Sequence, residues 1–398
     1  MTKEKYWLTS LVFLIVPLSG VCVDIYVPGL PAVSDYFGAV KSLSQLTITS
    51  YLIGLGLMQL LAGSISDSFG RKRPVFLAMM IFIITLFAIP NAYTIYQLIL
   101  IRFIQGAALA MVVVPLRAVI ADLYNGSELK KMMTYLTMSW SLGPIIAPGL
   151  GGLLQFYLGW KSIFYFLGLY SAIMFLLMCR FLFETSQYFH GFSLASTVKR
   201  YQTMLLNKEC LRFLIVGGLV FSIIALFSVV SPFFIQSILQ YSSKKFGYIT
   251  LLLGVAWFAG SMTNRFTLQV PLNKKAVYCF SAMLIISLIM LVITYLIPIN
   301  IYNIILPMLG IFYCCGILYP NYFIQTVFLF RENTASANAL YNSFAFLIAG
   351  IASGFGTYLK VNSELPFAIM LVCIILSCMF ISFFNLFSEE KLYARNTI

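Results

Sequence analysis

The sequence predicts an all-α integral membrane protein of twelve transmembrane helices arranged as two six-helix bundles. Three observations predict it. The chain is 61% hydrophobic and 9% charged, whereas soluble domains run at about 45–50% apolar and about 25% charged. Its apolar runs come at the length a helix needs to cross a bilayer, roughly 20 residues for about 30 Å of hydrocarbon. Its lysines and arginines collect on alternate sides of those runs.

The runs cover residues 7–28, 43–66, 74–92, 95–123, 132–158 and 160–183, then 210–235, 246–262, 276–297, 301–329, 335–359 and 365–387. A membrane β-barrel would show segments of strict alternation near ten residues. Runs such as LLMC and IMLVITYLI do not alternate.

Cytoplasmic loops hold an excess of Lys and Arg. With the N-terminus inside, the inner side collects Lys3, Lys5, Arg71, Lys72, Arg73, Lys130, Lys131, Arg180, Lys199, Arg200 and Lys208. It also takes Arg212, Arg265, Lys274, Lys275, Arg331, Lys391 and Arg395, while the outer side keeps Lys41, Lys161, Lys244, Lys245 and Lys360. Both termini are therefore expected in the cytoplasm. The net charge of +13 follows largely from this bias, and membrane lipid headgroups are partner enough for it. No long basic loop with interleaved aromatics points to nucleic acid.

Lys3 and Lys5 precede the first run, but no small-residue cleavage site follows it, so this helix is expected to stay attached. The eight cysteines, among them Cys22 and Cys279, show no metal-ligand or redox spacing. They read as small apolar packers. The match to a glycosylation site at Asn125 falls on the predicted cytoplasmic side, where no glycan is added.

Residues 185–209 form the longest polar interval and divide the chain into an N-terminal bundle, 1–184, a cytoplasmic linker and a C-terminal bundle, 210–398. Within the linker Ser193 is placed to cap a short helix with Leu194, Val198, Tyr201 and Leu205 at helical spacing. That pattern reads as an interfacial helix between the bundles. A six-plus-six layout suggests internal duplication. Gly63 stands four residues before Asp67 at the end of helix two, and Gly260 four before Asn264 at the end of helix eight.

The loop GSISDSFGRKRP, residues 63–74, and the stretch LIRFIQGAALA, with Arg102, Gln105 and Gly106, resemble two signatures of the major facilitator superfamily. RAVIADLY, with Arg117 and Asp122, then SLGPIIAPGLGGLL and GWKSIF, are similar to the Bcr/CflA-type branch of drug:proton antiporters. The resemblance runs from DIYVPGLP at Asp24 to FET at Glu184. The second half matches only in helix number and placement. The resemblance implies a major facilitator fold in a bacterial inner (cytoplasmic) membrane. It also implies an inner gate of Gly63, Asp67, Gly70, Arg71, Lys72 and Arg73 that latches the halves, with Arg117 and Asp122 taking part.

Read from the residues alone, the basic trio after Asp67 also serves to set topology, and Pro74 suits the first turn of helix three. In helix five Gly143, Ala147 and Gly151 recur every four residues, with Gly152 beside the last, so one face lets another backbone approach closely. Pro144 and Pro148 remove backbone donors and should bend that helix. The bland reading is a packing face. By the resemblance it is the antiporter motif, favouring exchange over leak. Gly350 and Gly354 make a similar pair in helix eleven.

Asp24 is the acidic residue well inside a span. A carboxylate in hydrocarbon is costly, by about 2.5–3.5 kcal/mol on insertion scales, so it persists mainly beside partners or water. With helix one running outward from Trp7, Asp24 lies about one turn below the outer face, close in depth to Arg102 on helix four. An ion pair between them is geometrically allowed, and a change in that distance or in hydration would load and unload a proton. The alternative is that Asp24 only caps backbone near a helix end, with Pro28 and Pro31 beyond. Arg117 sits about 22 Å farther in than Arg102 and about 60° around the helix, within reach of cytoplasmic headgroups, Asp122 or an inner vestibule.

Tyr26, Gln105, Met111, Tyr135, Trp140, Tyr313, Tyr319, Asn338, Tyr341 and Asn342 are the candidates for lining a substrate cavity. An apolar, aromatic cavity with few polar anchors suits small amphipathic or weakly cationic compounds. The one histidine, His190, falls in the linker, and no HExxH, GxSxG or phosphate-binding loop is present. An enzyme is thereby disfavoured, and no metal or cofactor is expected. The expectation is a monomeric, proton-coupled exporter working by alternating access; the alternative is a proton-coupled importer of a metabolite or siderophore.

Overall fold

In the computed structural model, which describes residues 3–186, 193–267, 269–330, 333–359 and 364–383, every membrane-length element is an α-helix. Twelve spans are long and apolar enough to cross a bilayer, and no strand occurs among the described residues. His190, Arg331 and Lys360 lie outside the described residues, as does the side chain of Pro144.

The first span departs from the sequence reading. Three short helices lie in series, α1 (Lys3–Ile15), α2 (Leu18–Asp24) and α3 (Leu30–Phe37), with a 3-10 turn at Val27–Gly29. The span runs Glu4–Phe37 rather than stopping at Pro28. Pro17 sits at the N-cap of α2, and Pro28 and Pro31 occupy first-turn positions of the elements they open. There the missing N–H has no helical partner to lose, so the chain bends and continues. Asp24 consequently lies about 20 Å of helix short of Phe37, well inside the span and not one turn from its end.

The remaining spans of the first half are α4 (Lys41–Phe69), α5 (Lys72–Ala88), α6 (Ile95–Leu123), α7 (Gly126–Leu158) and α8 (Trp160–Phe181). The connecting helix is α9 (Leu194–Leu205), capped by the Ser193 hydroxyl. The second half comprises α10 (Lys208–Pro232), extended by a π-turn over Phe233–Ile238, then α11 (Ser243–Phe266), α12 (Leu272–Leu296), α13 (Ile301–Leu329), α14 (Thr334–Gly356) and α15 (Leu365–Phe383). The face on which α1 begins and α9 lies is called the linker face below, and the opposite one the distal face.

Each half carries a helix crossing built by reciprocal glycines. A Cβ on Gly54 would strike the Phe103 carbonyl, and one on Gly106 the Tyr51 carbonyl; in the second half Gly260 meets the Tyr313 carbonyl and Gly316 the Trp257 carbonyl. Only glycine permits backbones so close. The crossing lies one helical turn farther along both helices in the second half than in the first. Gly260 thus performs the task of Gly54, whereas the sequence match had set it against Gly63, where an added Cβ meets nothing. Helix α11 has 24 residues against 29 in α4, so its crossing and its end fall close together.

The halves meet mainly along α4 against α14 and α7 against α11. Ser343 donates to the Gly56 carbonyl at 2.7 Å and Thr49 shares a 2.8 Å hydrogen bond with Ser353. Nearer the distal face Gln45 donates to the Val229 carbonyl at 2.9 Å and Gln236 to that of Pro28 at 3.0 Å. On the linker face α9 bridges the halves: Tyr201 donates to the Leu60 carbonyl, Thr197 bonds Ser64, and Arg200 donates to Ser336. Leu194 and Val198 stay exposed, as an interfacial helix requires.

Candidate functional site: a cavity between the halves

A cavity opens between the halves. The first half contributes Ser19, Gly20, Val23, Asp24, Trp140 and Pro148, and the second supplies most of the aromatic wall with Phe221, Phe227, Trp257, Phe312 and Phe346. Asp24 is the charged residue in this lining. Its carboxyl faces the small site left by Gly20, one turn before it, and the Trp140 ring stands beside the same glycine. Trp140 is itself held by a 3.1 Å hydrogen bond from its indole N–H to the Ser19 hydroxyl.

The allowed ion pair between Asp24 and Arg102 does not form. Neither Asp24 nor Arg117 joins an ion pair among the described residues. Arg102 does lie at the depth of Asp24, for its guanidinium reaches the Cys22 carbonyl at 3.4 Å and stacks on Tyr26, 4.8 Å from the ring centroid. Cys22 and Tyr26 are four residues apart and share a face, while Asp24, two from each, is turned about 200° from both. Depth agrees and direction does not.

Arg102 is completely buried without an ion-pair partner among the described residues. Tyr51 covers it on another side at 4.5 Å, Gln105 accepts from it at 2.5 Å, and the Thr47 carbonyl accepts at 3.4 Å. Ring faces and carbonyls compensate the charge. Tyr26 and Gln105 therefore belong to this buried cluster and not to the cavity wall.

The other cavity candidates scatter. Tyr319 packs against Trp257 and Phe221, and Arg117 faces it from the first half. Tyr341 is buried, donates to the Tyr319 carbonyl and presses on Gly217. Asn342 donates to Asn338 at 2.6 Å within α14. Tyr313 bonds Thr263 away from the cavity, and Tyr135 is largely exposed near Lys131. Met111 is partly buried against the core. Of the ten, Trp140 alone lines the cavity. The aromatics that do line it were legible only through the repeat: Trp257 precedes Gly260 by three, as Tyr51 precedes Gly54.

Helix α7 presents two small faces. Gly143 and Gly151 face α2 of their own half, against Val21 and the Ile25 carbonyl. Gly149 and Gly152 face α11, against Leu251 and Ser243, and Gly247 in turn fits beneath the Pro148 carbonyl. Ala147, also buried, lies on the first of these faces, between Gly143 and Gly151. One face seals a bundle and the other lets the two halves touch.

At the linker face Arg71 donates to Asp67 at 2.5 Å and to Asp122 at 3.2 Å. Glu184 accepts from the backbone amides of Arg71, at 2.9 Å, and Lys72, at 3.1 Å, where α5 begins. Partial burial by itself would raise the Glu184 carboxyl, but the amides of Arg71, Ser186, Lys72 and Thr185 hold it below the usual carboxylate range. Every member of this network belongs to the first half or to the first two residues of the linker. In this conformation it ties α4, α5, α6 and the end of α8 to one another, and does not latch the halves together as the motif implied. The second half has a counterpart without a carboxylate, in which Asn264 accepts from Lys275 at 2.8 Å and from Asn321 at 2.5 Å.

The sequence model of the Major Facilitator Superfamily matches residues 12–354. The chain belongs to that superfamily. Among its superfamily relatives, an uncharacterized MFS-type transporter, YdgK, of Bacillus subtilis is 29% identical over 65% of this chain and 65% of its own length. A bicyclomycin resistance protein homolog of Haemophilus influenzae is 24% identical over 89% of this chain and 90% of its own. Multidrug resistance protein D of Escherichia coli is 26% identical over 79% of each. The chain thus spans just under two thirds of the length of the Bacillus relative. The crystal structure of a D-xylose-proton symporter superposes with a TM-score of 0.73 at 17% identity, covering 94% of this chain and 97% of that one. The Bacillus relative and the symporter are transporters by name, and the family is one of transporters and not of enzymes.

Proposed function

We propose that this superfamily member is a proton-coupled exporter of small amphipathic compounds, moving them by alternating access between its two halves. The observation that carries the reading is Asp24, an acid well inside the first span without an ion-pair partner among the described residues, set in an aromatic cavity between the halves. A group in that position exchanges a proton whenever its hydration changes, and it attracts a cationic or hydrogen-bonding compound to the same place. Aromatic walls with one carboxyl suit compounds that are apolar and weakly basic. The names of the bicyclomycin and multidrug resistance relatives support export of such compounds.

The halves touch at the distal face through α7, α11, Gln45 and Gln236, so the cavity is closed on that side. The distribution of Lys and Arg supports a cytoplasmic linker face in a bacterial inner membrane. Helix α7 then has the double task expected of an antiporter motif, and the Asp67, Arg71, Asp122 and Glu184 network keeps the inner ends of the first bundle moving as one body. The protein is taken to act as a monomer.

The test is proton flux in proteoliposomes challenged with cationic and neutral drugs, comparing the parent with Asp24→Asn. Substrate-dependent proton exchange that vanishes in the variant is the expected result. Movement of proton and compound in the same direction would convert the exporter into an importer, and undiminished uphill transport by the variant would remove Asp24 from the mechanism.

A further inference from the structure

A second buried carboxyl lies far along the chain from Asp24. Glu364 stands just before α15 at the distal face, and only 2% of it is exposed. Neither of its carboxylate oxygens completes a hydrogen bond among the described residues, and the hydroxyl of Ser231 beside it is also unsatisfied. Both line a small cavity whose other walls are Phe227, Val230 and Phe234 at the end of α10, Ile304 of α13 and Phe367 of α15. None of these residues is charged or titratable. The backbone amide of Asn300, on the turn before α13, is the one polar group that pulls against burial.

An ionised carboxylate here would be buried without a counter-charge among the described residues, which is a costly arrangement for a protein to hold. Its cavity is not an isolated packing defect. Val229, within the lining segment, and Gln236, just beyond it in the π-turn, are the residues whose hydrogen bonds to Gln45 and Pro28 join the halves at the distal face. Phe227 is shared between this small cavity and the central one. Parting the halves at that face pulls on the same stretch of α10 that shields Glu364.

We propose that Glu364 is a second proton-binding site, distinct from Asp24, which must take up a proton from the distal side before the halves can close there. The side called outer rests on the orientation proposed above; the site itself does not. Burial pushes the Glu364 carboxyl from its ordinary 4.5 up to about 7, against the pull of the Asn300 amide. The sign follows: the closed form binds the proton more tightly, so its advantage is full below the ordinary value and is lost as pH rises through about 7. The closed-to-open ratio is expected to fall by about two orders of magnitude across that window.

The experiment places spin labels at Lys41→Cys and Lys245→Cys, exposed positions on α4 and α11 at the distal face, with Cys179 and Cys373 replaced by alanine. The distance distribution is then followed from pH 4 to pH 9 in nanodiscs. The parent is expected to shift from closed to open as pH rises, Glu364→Gln to stay closed throughout, and Asp24→Asn to keep the parent response even where it has lost proton exchange. A parent distance that ignores pH, or a Glu364→Gln distance that follows it like the parent, overturns the proposal. Loss of the response in Asp24→Asn with its retention in Glu364→Gln assigns the proton to the central site instead. Should Glu364→Gln not fold, the infrared carboxylic-acid band decides: perdeuterated label at Glu gives a protonated signal near neutral pH that Ser231→Val must shift, and an ionised signal alone overturns the site.

Discussion

The guanidinium of Arg102 lies 4.5 Å from the centre of the Tyr51 ring, on the opposite side of the first span from Asp24. The two charges share a depth in the membrane and point away from each other. Arg102 sits in the buried cluster, and Asp24 lines the cavity.

Arg102→Lys is expected to destabilise the first half by about 2 kcal/mol, because an ammonium cannot cover Tyr26 and Tyr51 together while also reaching Gln105. Thermal unfolding in detergent checks this, and a midpoint equal to the parent's would contradict it.

Asp24→Asn should behave oppositely. It removes a carboxyl that joins no ion pair and keeps its shape, so the unfolding midpoint should equal or exceed that of the parent while proton exchange is lost. A large fall in stability would mean that Asp24 holds the fold together.

Two neighbouring glycines of α7 separate packing from gating. Gly151→Ala drives a methyl into the Ile25 carbonyl within one bundle and is expected to cost about 1–3 kcal/mol of stability. Gly152→Ala puts its methyl 2.5 Å from the Ser243 carbonyl across the halves, so it should keep the halves folded but slow transport by holding the distal face apart. Equal loss of stability in both variants would erase the distinction.

Glu184 supplies a pH test. Its carboxyl is depressed by the backbone amides at the start of α5, so the stability it lends is present above the ordinary carboxylate value and is lost as pH falls through the depressed one. The acid limb of the unfolding midpoint should therefore flatten in Glu184→Gln, which loses stability at neutral pH and converges on the parent in acid. An acid limb identical to the parent's would show that these amides gain nothing from the charge.

Trp140→Ala should raise the KM for a transported compound about tenfold with little effect on folding, since the ring is an aromatic wall beside the one cavity carboxyl. Tyr313→Ala should leave KM alone, because that ring bonds Thr263 outside the cavity. Transport kinetics in vesicles separate the two.

Composition and periodicity alone determined the twelve membrane-length helices, because hydrocarbon admits few ways to satisfy a backbone and each helix satisfies its own. Asp24 was legible for the same reason: a carboxyl in an apolar run is conspicuous whatever surrounds it. The tertiary structure decided which way each side chain points. Whether Asp24 meets Arg102 depends on a 200° turn about the first span, and whether that span stops at Pro28 depends on how three prolines seat at helix starts. The aromatic wall from Phe221 to Phe346, the confinement of the Arg71 network to one half and the burial of Glu364 all arise from contacts between residues remote in sequence. No local pattern encodes them, since helical spacing fixes neighbours along one helix and leaves its rotation against the others to packing.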